Sequence, residues 1–227
     1  MRYPWILFDA DETLFHFDAL AGLQALFNTL GVNFTDADYH EFQRVNKPLW
    51  VQYQNNEISA KHLQEQRFML WAERLDIAPS TLNLKFMEAM ANICQPLPGA
   101  IELLNSLRGR AKLGIITNGF TELQRARLQK TGLKDTFEWL VISEQVGYAK
   151  PHMAVFEHAF ELMGNPPKEH ILMVGDTLES DIQGGINAGI DTCWLNRLDK
   201  TAPEHLTPTF EVRSLCQLRS LLLDIEK

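Results

Sequence analysis

Apolar positions along the chain follow two patterns. Trp5-Ile6-Leu7-Phe8, Leu113-Gly114-Ile115-Ile116, Trp139-Leu140-Val141-Ile142 and Ile171-Leu172-Met173-Val174 are almost unbroken apolar runs. Such runs predict strands of a parallel sheet buried on both faces. Thr192-Cys193-Trp194-Leu195 and the segment near Phe210 are weaker strand candidates, and Leu215 to Leu223 reads as a closing helix. Between residues 18 and 94 the period becomes helical. Asp18 can cap a helix carrying Leu20, Leu23, Phe27 and Leu30, with Gly31 to end it. A second helix is expected to start near Asp36, carry Tyr39 and Phe42, and be kinked or ended by Pro48. Ser59 can cap a third holding Leu63, Leu70 and Trp71, while Leu82, Phe86, Met90 and Ile93 mark a fourth.

The pattern predicts an α/β protein: a doubly wound parallel sheet formed by residues 1–17 and 95–227, with an all-helical domain, 18–94, inserted after the first strand. Pro96-Leu97-Pro98-Gly99 is the expected hinge back. Trp50, Tyr53 and Trp71 are expected in the core of the inserted bundle.

Polar chemistry follows each of the strong strands. Asp9 and Asp11 come directly after the first. Thr117-Asn118-Gly119 ends the second, and Thr121-Glu122-Leu123-Gln124 has the form of a capping box for the next helix. A hydroxyl and loop amides ahead of a helix suit a phosphate. A loop after the third strand leads to Lys150-Pro151, with the proline suited to the first turn of a helix. Gly175-Asp176 follows the fourth strand, and Asp181 comes soon after. Each has a plain alternative: turn residues, a helix cap at Asp176, a solvated lysine. Parallel strands, however, all end on one edge, where open α/β sheets bind ligands. Asp9, Asp11, Thr117, Lys150, Asp176 and Asp181 are therefore expected to converge.

Charge and cysteine usage narrow the field. A net charge of −8 over 227 residues argues against a nucleic acid polymer as partner. Cys94, Cys193 and Cys216 have no zinc-site spacing and read as reduced structural thiols. The chain shows neither a signal-peptide pattern nor an uncharged apolar run of membrane-spanning length, so no membrane partner is expected and the cytoplasm is the default location. Gly184-Gly185-Ile186-Asn187-Ala188-Gly189 lacks dinucleotide-site spacing, and its small residues predict close helix packing. Arg125, Arg127 and Lys130 are expected on a solvated helix face.

Taken in order, these residues resemble the signature of the haloacid dehalogenase superfamily. Asp9-Ala10-Asp11-Glu12-Thr13 looks like its first motif, Thr117 its second, Lys150 its third, and Gly175-Asp176 through Asp181 its fourth. The resemblance implies that Asp9 attacks phosphorus and that Asp11 protonates the leaving oxygen, then deprotonates the hydrolytic water. It implies that Thr117 and the Asn118 amide hold phosphoryl oxygens and that Lys150 neutralises Asp9 and the phosphate. Asp9, the carbonyl of Asp11 and Asp176 would hold a metal, with Asp181 a further ligand or a support behind it. Like charges 4 Å apart repel by about 4 kcal/mol at an effective dielectric near 20. A hard divalent ion is therefore expected, Mg²⁺ with Mn²⁺ as a substitute.

Asp11 argues for phosphate chemistry, since a dehalogenase would not be expected to carry it. The helical insertion resembles the type I cap of the superfamily. Over nearly its whole length the chain resembles the YjjG-like pyrimidine 5′-nucleotidases, including Phe8 to Phe15, Asn46-Lys47-Pro48-Leu49-Trp50-Val51 and Ile116-Thr117-Asn118-Gly119-Phe120. That resemblance implies nucleoside monophosphate substrates such as dUMP, UMP and dTMP. A sugar-phosphate phosphatase or mutase on the same core, and a non-enzymatic receiver-like phosphate-binding module, are the alternatives.

Overall fold

The computed structural model describes residues 1–224. In chain order the elements are β1 (Trp5–Phe8), α1 (Ala19–Asn28), α2 (Asp36–Gln54), α3 (Ala60–Gln66), α4 (Met69–Leu75), α5 (Pro79–Ile93) and α6 (Ala100–Leu107). They continue with β2 (Lys112–Thr117), α7 (Thr121–Lys130), β3 (Trp139–Ile142), α8 (Ser143–Val146), α9 (Met153–Leu162) and β4 (Ile171–Gly175). A π-helical turn (Leu178–Ile182), α10 (Gln183–Ala188), β5 (Asp191–Leu195), β6 (Phe210–Val212) and α11 (Leu215–Asp224) complete the described chain. The chain divides into two compact units, one of residues 1–16, 95–119 and 133 onward, the other of residues 17–94 and 120–132.

The first unit is built on a six-stranded sheet in the order β3-β2-β1-β4-β5-β6, with every pair parallel. It is an α/β doubly wound sheet. From β1 the chain adds β2 and β3 on one side, then crosses to build β4, β5 and β6 on the other, so strand order reverses at β1. Phe8 stands opposite both Ile115 and Val174, which brings the carboxyl ends of β1, β2 and β4 level. Ile6, Leu7 and Phe8 are fully buried, as are Ile115, Ile116 and Ile171 to Val174; burial on both faces explains why these strands read as continuous apolar runs.

Close packing beside β4 depends on two small residues. A Cβ on Gly184 would lie 2.5 Å from the Phe156 ring, and one on Gly185 would lie 2.5 Å from Thr192 Cγ2. The glycine-rich stretch thus serves helix packing, as its spacing implied. The proline after Lys150 behaves differently from expectation. The Lys150–Pro151 bond is cis, and α9 begins only at Met153, capped by His152 Nδ1, which accepts from the Ala154 N–H at 3.1 Å.

The second unit is all helical. Asp18 caps α1 by accepting from the Ala21 N–H at 2.9 Å, and Thr35 with Asp38 forms a reciprocal capping box for α2. Phe27 packs between Phe34 and Trp71, with ring centroids 4.7 and 4.4 Å away. Pro48 does not end α2, which runs through it to Gln54. The expected third helix is two, because the chain leaves helical register at Arg67 and Phe68, between α3 and α4.

Helix α7 falls with this unit rather than with the sheet, packed on α5. Its predicted capping box is absent: Phe120 is the N-cap and makes no side-chain capping bond, while Thr121 is the first helical residue. The predicted solvated face is also overturned at Arg127, which is buried and donates to Gln124 Oε1 through Nε at 3.0 Å and Nη2 at 2.6 Å. Lys130 reaches Asn92, donating to its carbonyl at 2.7 Å and its side-chain oxygen at 3.0 Å. Arg125 and Lys130 are exposed as expected, whereas Arg127 turns inward with Gln124. No helix among the described residues is long and apolar enough to cross a membrane.

Candidate active site

Immediately after β1 the chain turns tightly. Asp9 stays in the sheet through its N–H, which donates to Val174 O at 2.8 Å, while the N–H groups of Leu14 and Phe15 both return to Ala10 O at 3.0 Å. The turn is possible because Glu12 takes a left-handed conformation, φ 56°. Asp11 sits at the base of this loop, bridged to Phe15. Thr13 is fully buried beneath it, and its hydroxyl points to Asp176 Oδ1 at 3.4 Å.

Lys150 ties the strand ends together. Its ammonium is almost wholly buried and donates to Asp9 Oδ1 at 2.6 Å, Asp181 Oδ1 at 2.7 Å and Ile116 O at 2.7 Å. Three donors meet three acceptors, so the ammonium has a fixed position. Its backbone is held too: Asn118 Nδ2 donates to Lys150 O at 3.0 Å, and Lys150 N–H donates to Asn118 Oδ1 at 2.7 Å. Thr117, at the end of β2, is buried, and its Oγ1 accepts from the Gly119 N–H at 3.0 Å. That leaves the hydroxyl proton to donate elsewhere.

The acidic residues after β4 are placed by the π-helical turn. Asp181 is buried, accepts from the Thr177 N–H at 3.0 Å through Oδ2 and from Ser180 Oγ at 3.2 Å through Oδ1, and meets Lys150. Asp176 does not cap that turn, whose N-cap is Thr177. Its backbone carbonyl instead accepts from Trp194 Nε1 at 2.9 Å, anchoring it to β5. Asp9, Asp176 and Asp181 each offer a carboxylate oxygen within 4.8 Å of the others.

Electrostatics follow from this crowding. Burial pushes the Asp9 carboxyl above the ordinary range; Lys150 opposes this, and Asp181, Asp11 and Asp176 add to it. Asp176 is pushed up to about 6, first by burial and then by Asp181. Burial disfavours the charge on Lys150, but Asp181 and Asp9 outweigh it and its pKa is raised. One ammonium therefore faces three carboxylates. All-oxygen donors with excess negative charge fit a hard divalent cation, so the cluster passes the chemical test for a metal site.

The sequence-derived residues of the site thus come together on one sheet edge. Two residues expected at the phosphate have their side chains committed elsewhere: both polar atoms of Asn118 hold the Lys150 backbone, and the Lys150 ammonium is held by Asp9, Asp181 and Ile116 O. Sequence reasoning did not single out Thr13, Thr177, Ser180 or Trp194 as supports. Nor did it pair Glu12 with Arg197 and His16, the latter at 3.1 Å. Thr13 lay within a quoted motif, but nothing in the local pattern distinguishes a support for Asp176 from a turn residue.

A family model for haloacid dehalogenase-like hydrolases matches residues 3–189. The chain belongs to that family. It is 57% identical over 222 residues to pyrimidine 5′-nucleotidase YjjG of Escherichia coli, covering 98% of this chain and 99% of that protein. It is also 36% identical over 233 residues to pyrimidine 5′-nucleotidase PynA of Streptococcus pneumoniae, covering 98% and 96%. Among solved structures, YfnB from Bacillus subtilis bound to magnesium superimposes with a TM-score of 0.82 at 30% identity, covering 98% of this chain and 99% of that one. Membership of this hydrolase family removes the receiver-like alternative.

Proposed function

We propose that this chain is a magnesium-dependent 5′-nucleotidase that hydrolyses pyrimidine nucleoside monophosphates through an aspartyl-phosphate on Asp9. The observation that carries the substrate class is the 57% identity, over essentially the full length of both chains, to a pyrimidine 5′-nucleotidase. The phosphoryl-transfer chemistry is supported by the site. Asp9 attacks phosphorus, an oxygen–phosphorus bond forms, and the bond to the nucleoside oxygen breaks. Asp11, two residues on, gives that oxygen its proton and then takes one from the water that cleaves the aspartyl-phosphate, releasing inorganic phosphate.

Lys150 holds one Asp9 oxygen and so orients the nucleophile while offsetting charge on the phosphoryl group. Thr117 donates its hydroxyl proton to a phosphoryl oxygen, and the Asn118 backbone N–H serves beside it. Asp9, Asp176 and the Asp11 carbonyl would hold Mg²⁺, for which Mn²⁺ could substitute. Asp181, already engaged by Lys150, Thr177 and Ser180, supports this set from behind. A bound Mg²⁺ would neutralise the phosphate and the carboxylates. The helical unit is read as the substrate-selecting cap, and the three free cysteines suit a cytoplasmic enzyme.

A substrate panel tests this reading. With Mg²⁺ present, kcat/KM for UMP, dUMP and dTMP should exceed that for ribose 5-phosphate and glucose 6-phosphate. A higher value on the sugar phosphates would replace the nucleotidase reading with a sugar-phosphate phosphatase.

A further inference from the structure

Within the helical unit, Arg67 is a cation enclosed without an anion. It is only 5% exposed, and its Nε, at 3.1 Å, and Nη2 both donate to the same oxygen, Asn83 Oδ1. Asn83 is held in turn by donating to Gln64 Oε1 at 3.1 Å. The guanidinium carbon lies 5.1 Å from the Phe120 ring centroid, 5.2 Å from that of Phe86 and 5.4 Å from that of Phe68. Burial alone lowers its pKa to about 9. Among the described residues no carboxylate pairs with it, and Nη1 has no acceptor. A buried charge left in this state is costly unless something completes its hydrogen bonding.

A second, independent observation lies on α2. Asn46 is 9% exposed, and its Oδ1 is buried without a hydrogen-bond partner. Its orientation is fixed by a chain of bonds. Gln43 Nε2 donates to Tyr39 Oη at 2.7 Å, leaving Gln43 Oε1 to accept from Asn46 Nδ2 at 3.2 Å, so the unused atom is the acceptor. Asn46 lies four residues after Phe42 and four before Trp50, on the same helix face. Phe42 packs on Phe68 and Phe86, with centroids 5.4 and 6.5 Å away, and Trp50 stacks on Phe120 at 5.2 Å. These are the rings around Arg67. A guanidinium whose hydrogen bonds use only Nε and Nη2 and a buried acceptor without a partner therefore border one set of aromatic rings.

We propose that Arg67 and Asn46 are the residues that read the base, selecting a pyrimidine whose ring N–H is flanked by carbonyls, as in uracil and thymine. The inference rests on the nucleotidase reading above. Arg67 Nη1 donates to a carbonyl oxygen and Asn46 Oδ1 accepts from the ring N–H. Cytosine sets a lone pair where that N–H would be, opposing Asn46. An inorganic anion would satisfy Arg67 but would be repelled by the Asn46 oxygen.

The test compares UMP, CMP and p-nitrophenyl phosphate on the wild-type protein and on Arg67→Met and Asn46→Leu, with melting temperatures measured alongside. Wild type should prefer UMP over CMP. In each variant the ratio of kcat/KM for UMP to that for p-nitrophenyl phosphate should fall about ten- to a hundredfold, chiefly through KM, and the UMP-over-CMP preference should collapse. If Arg67→Met does not fold, Asn46→Leu decides alone. Proportional losses on all substrates in a folded variant, or an intact UMP preference, would overturn the base-reading role while leaving the nucleotidase reading intact. A wild-type enzyme with no preference for pyrimidine nucleotides would remove that reading itself.

Discussion

Asn118 clamps the backbone of Lys150 at both ends of its peptide framework, accepting from its N–H at 2.7 Å and donating to its carbonyl at 3.0 Å. The side chain thus positions the lysine that bridges Asp9 and Asp181. In Asn118→Ala the ammonium should lose its fixed register, and kcat should fall about ten- to a hundredfold with little change in KM for p-nitrophenyl phosphate. A rise in KM at constant kcat would instead assign the carboxamide to phosphate binding.

Gly175 tests the other side of the same ammonium. A Cβ there would lie 2.2 Å from Asp181 Oδ2 and 2.3 Å from its Cγ, a carboxylate already held by Thr177 and Lys150. Gly175→Ala should displace Asp181, destabilise the protein by about 1–3 kcal/mol and lower kcat sharply. Denaturant unfolding and steady-state kinetics on one preparation check both effects. Unchanged stability and turnover would show that Asp181 can move without cost.

Why some of this was legible in the sequence and some was not follows from what each residue contacts. Phe8, Ile116 and Val174 sit on strands buried almost throughout, and Ile142 on an edge strand buried at its carboxyl end, so an apolar run marks each strand and its end marks the sheet edge. Convergence of Asp9, Thr117, Lys150 and Asp176 then follows from parallel topology alone. The third helix looked continuous because Leu63, Leu70 and Trp71 keep helical spacing across the break at Arg67 and Phe68. Arg127 looked solvated because its partner, Gln124, is polar as well; polarity in sequence does not separate a paired interior from an exposed face. Arg67 carried no signal and Asn46 appeared only inside the stretch Asn46 to Val51 that carries the resemblance, since their environment exists only once the aromatic rings of separate helices are assembled.

With Asp176 as a proposed metal ligand, metal and proton would compete for it, which gives a pH-dependent signature. Its folded-state pKa is pushed from the ordinary 3.8 up to about 6 by burial and by Asp181, and burial pushes Asp9 in the same direction. The folded protein therefore holds these protons more tightly than the unfolded chain. Their contribution to stability is full below about pH 4 and is lost as pH rises through the raised values, about 2–3 kcal/mol for Asp176 alone. Metal-free Asp176→Asn should melt above metal-free wild type at pH 7.5, and the gap should narrow at pH 5. Adding Mg²⁺ should raise the wild-type melting temperature more at pH 7.5 than at pH 5, and should do little for the variant. A Mg²⁺ shift that is equal at both pH values, or undiminished in Asp176→Asn, would remove Asp176 from the metal ligands. Activity should likewise vanish with EDTA and return with Mg²⁺ or Mn²⁺.

Asp9 and Asp11 are two residues apart but differ in environment, and this separates their chemistry. Asp9 is buried, with one oxygen 2.6 Å from the Lys150 ammonium; Asp11 is half-exposed on the turn that follows. As nucleophile, Asp9 should be irreplaceable: Asp9→Asn offers phosphorus no anionic oxygen and should form no phosphoenzyme with any substrate. Asp11→Asn should behave differently. With p-nitrophenyl phosphate the leaving group departs without a proton, so phosphorylation of Asp9 should survive. The second step, however, would lack the base that activates water. Rapid-quench kinetics should then show a burst of nitrophenol close to one equivalent per active site, followed by slow turnover, and intact-protein mass spectrometry should find a phosphoryl group mapped to Asp9. With UMP, whose leaving oxygen needs a proton, the burst should be absent. Steady hydrolysis with no covalent adduct in either variant, or an adduct on Asp11, would overturn the assignment and favour direct attack by water.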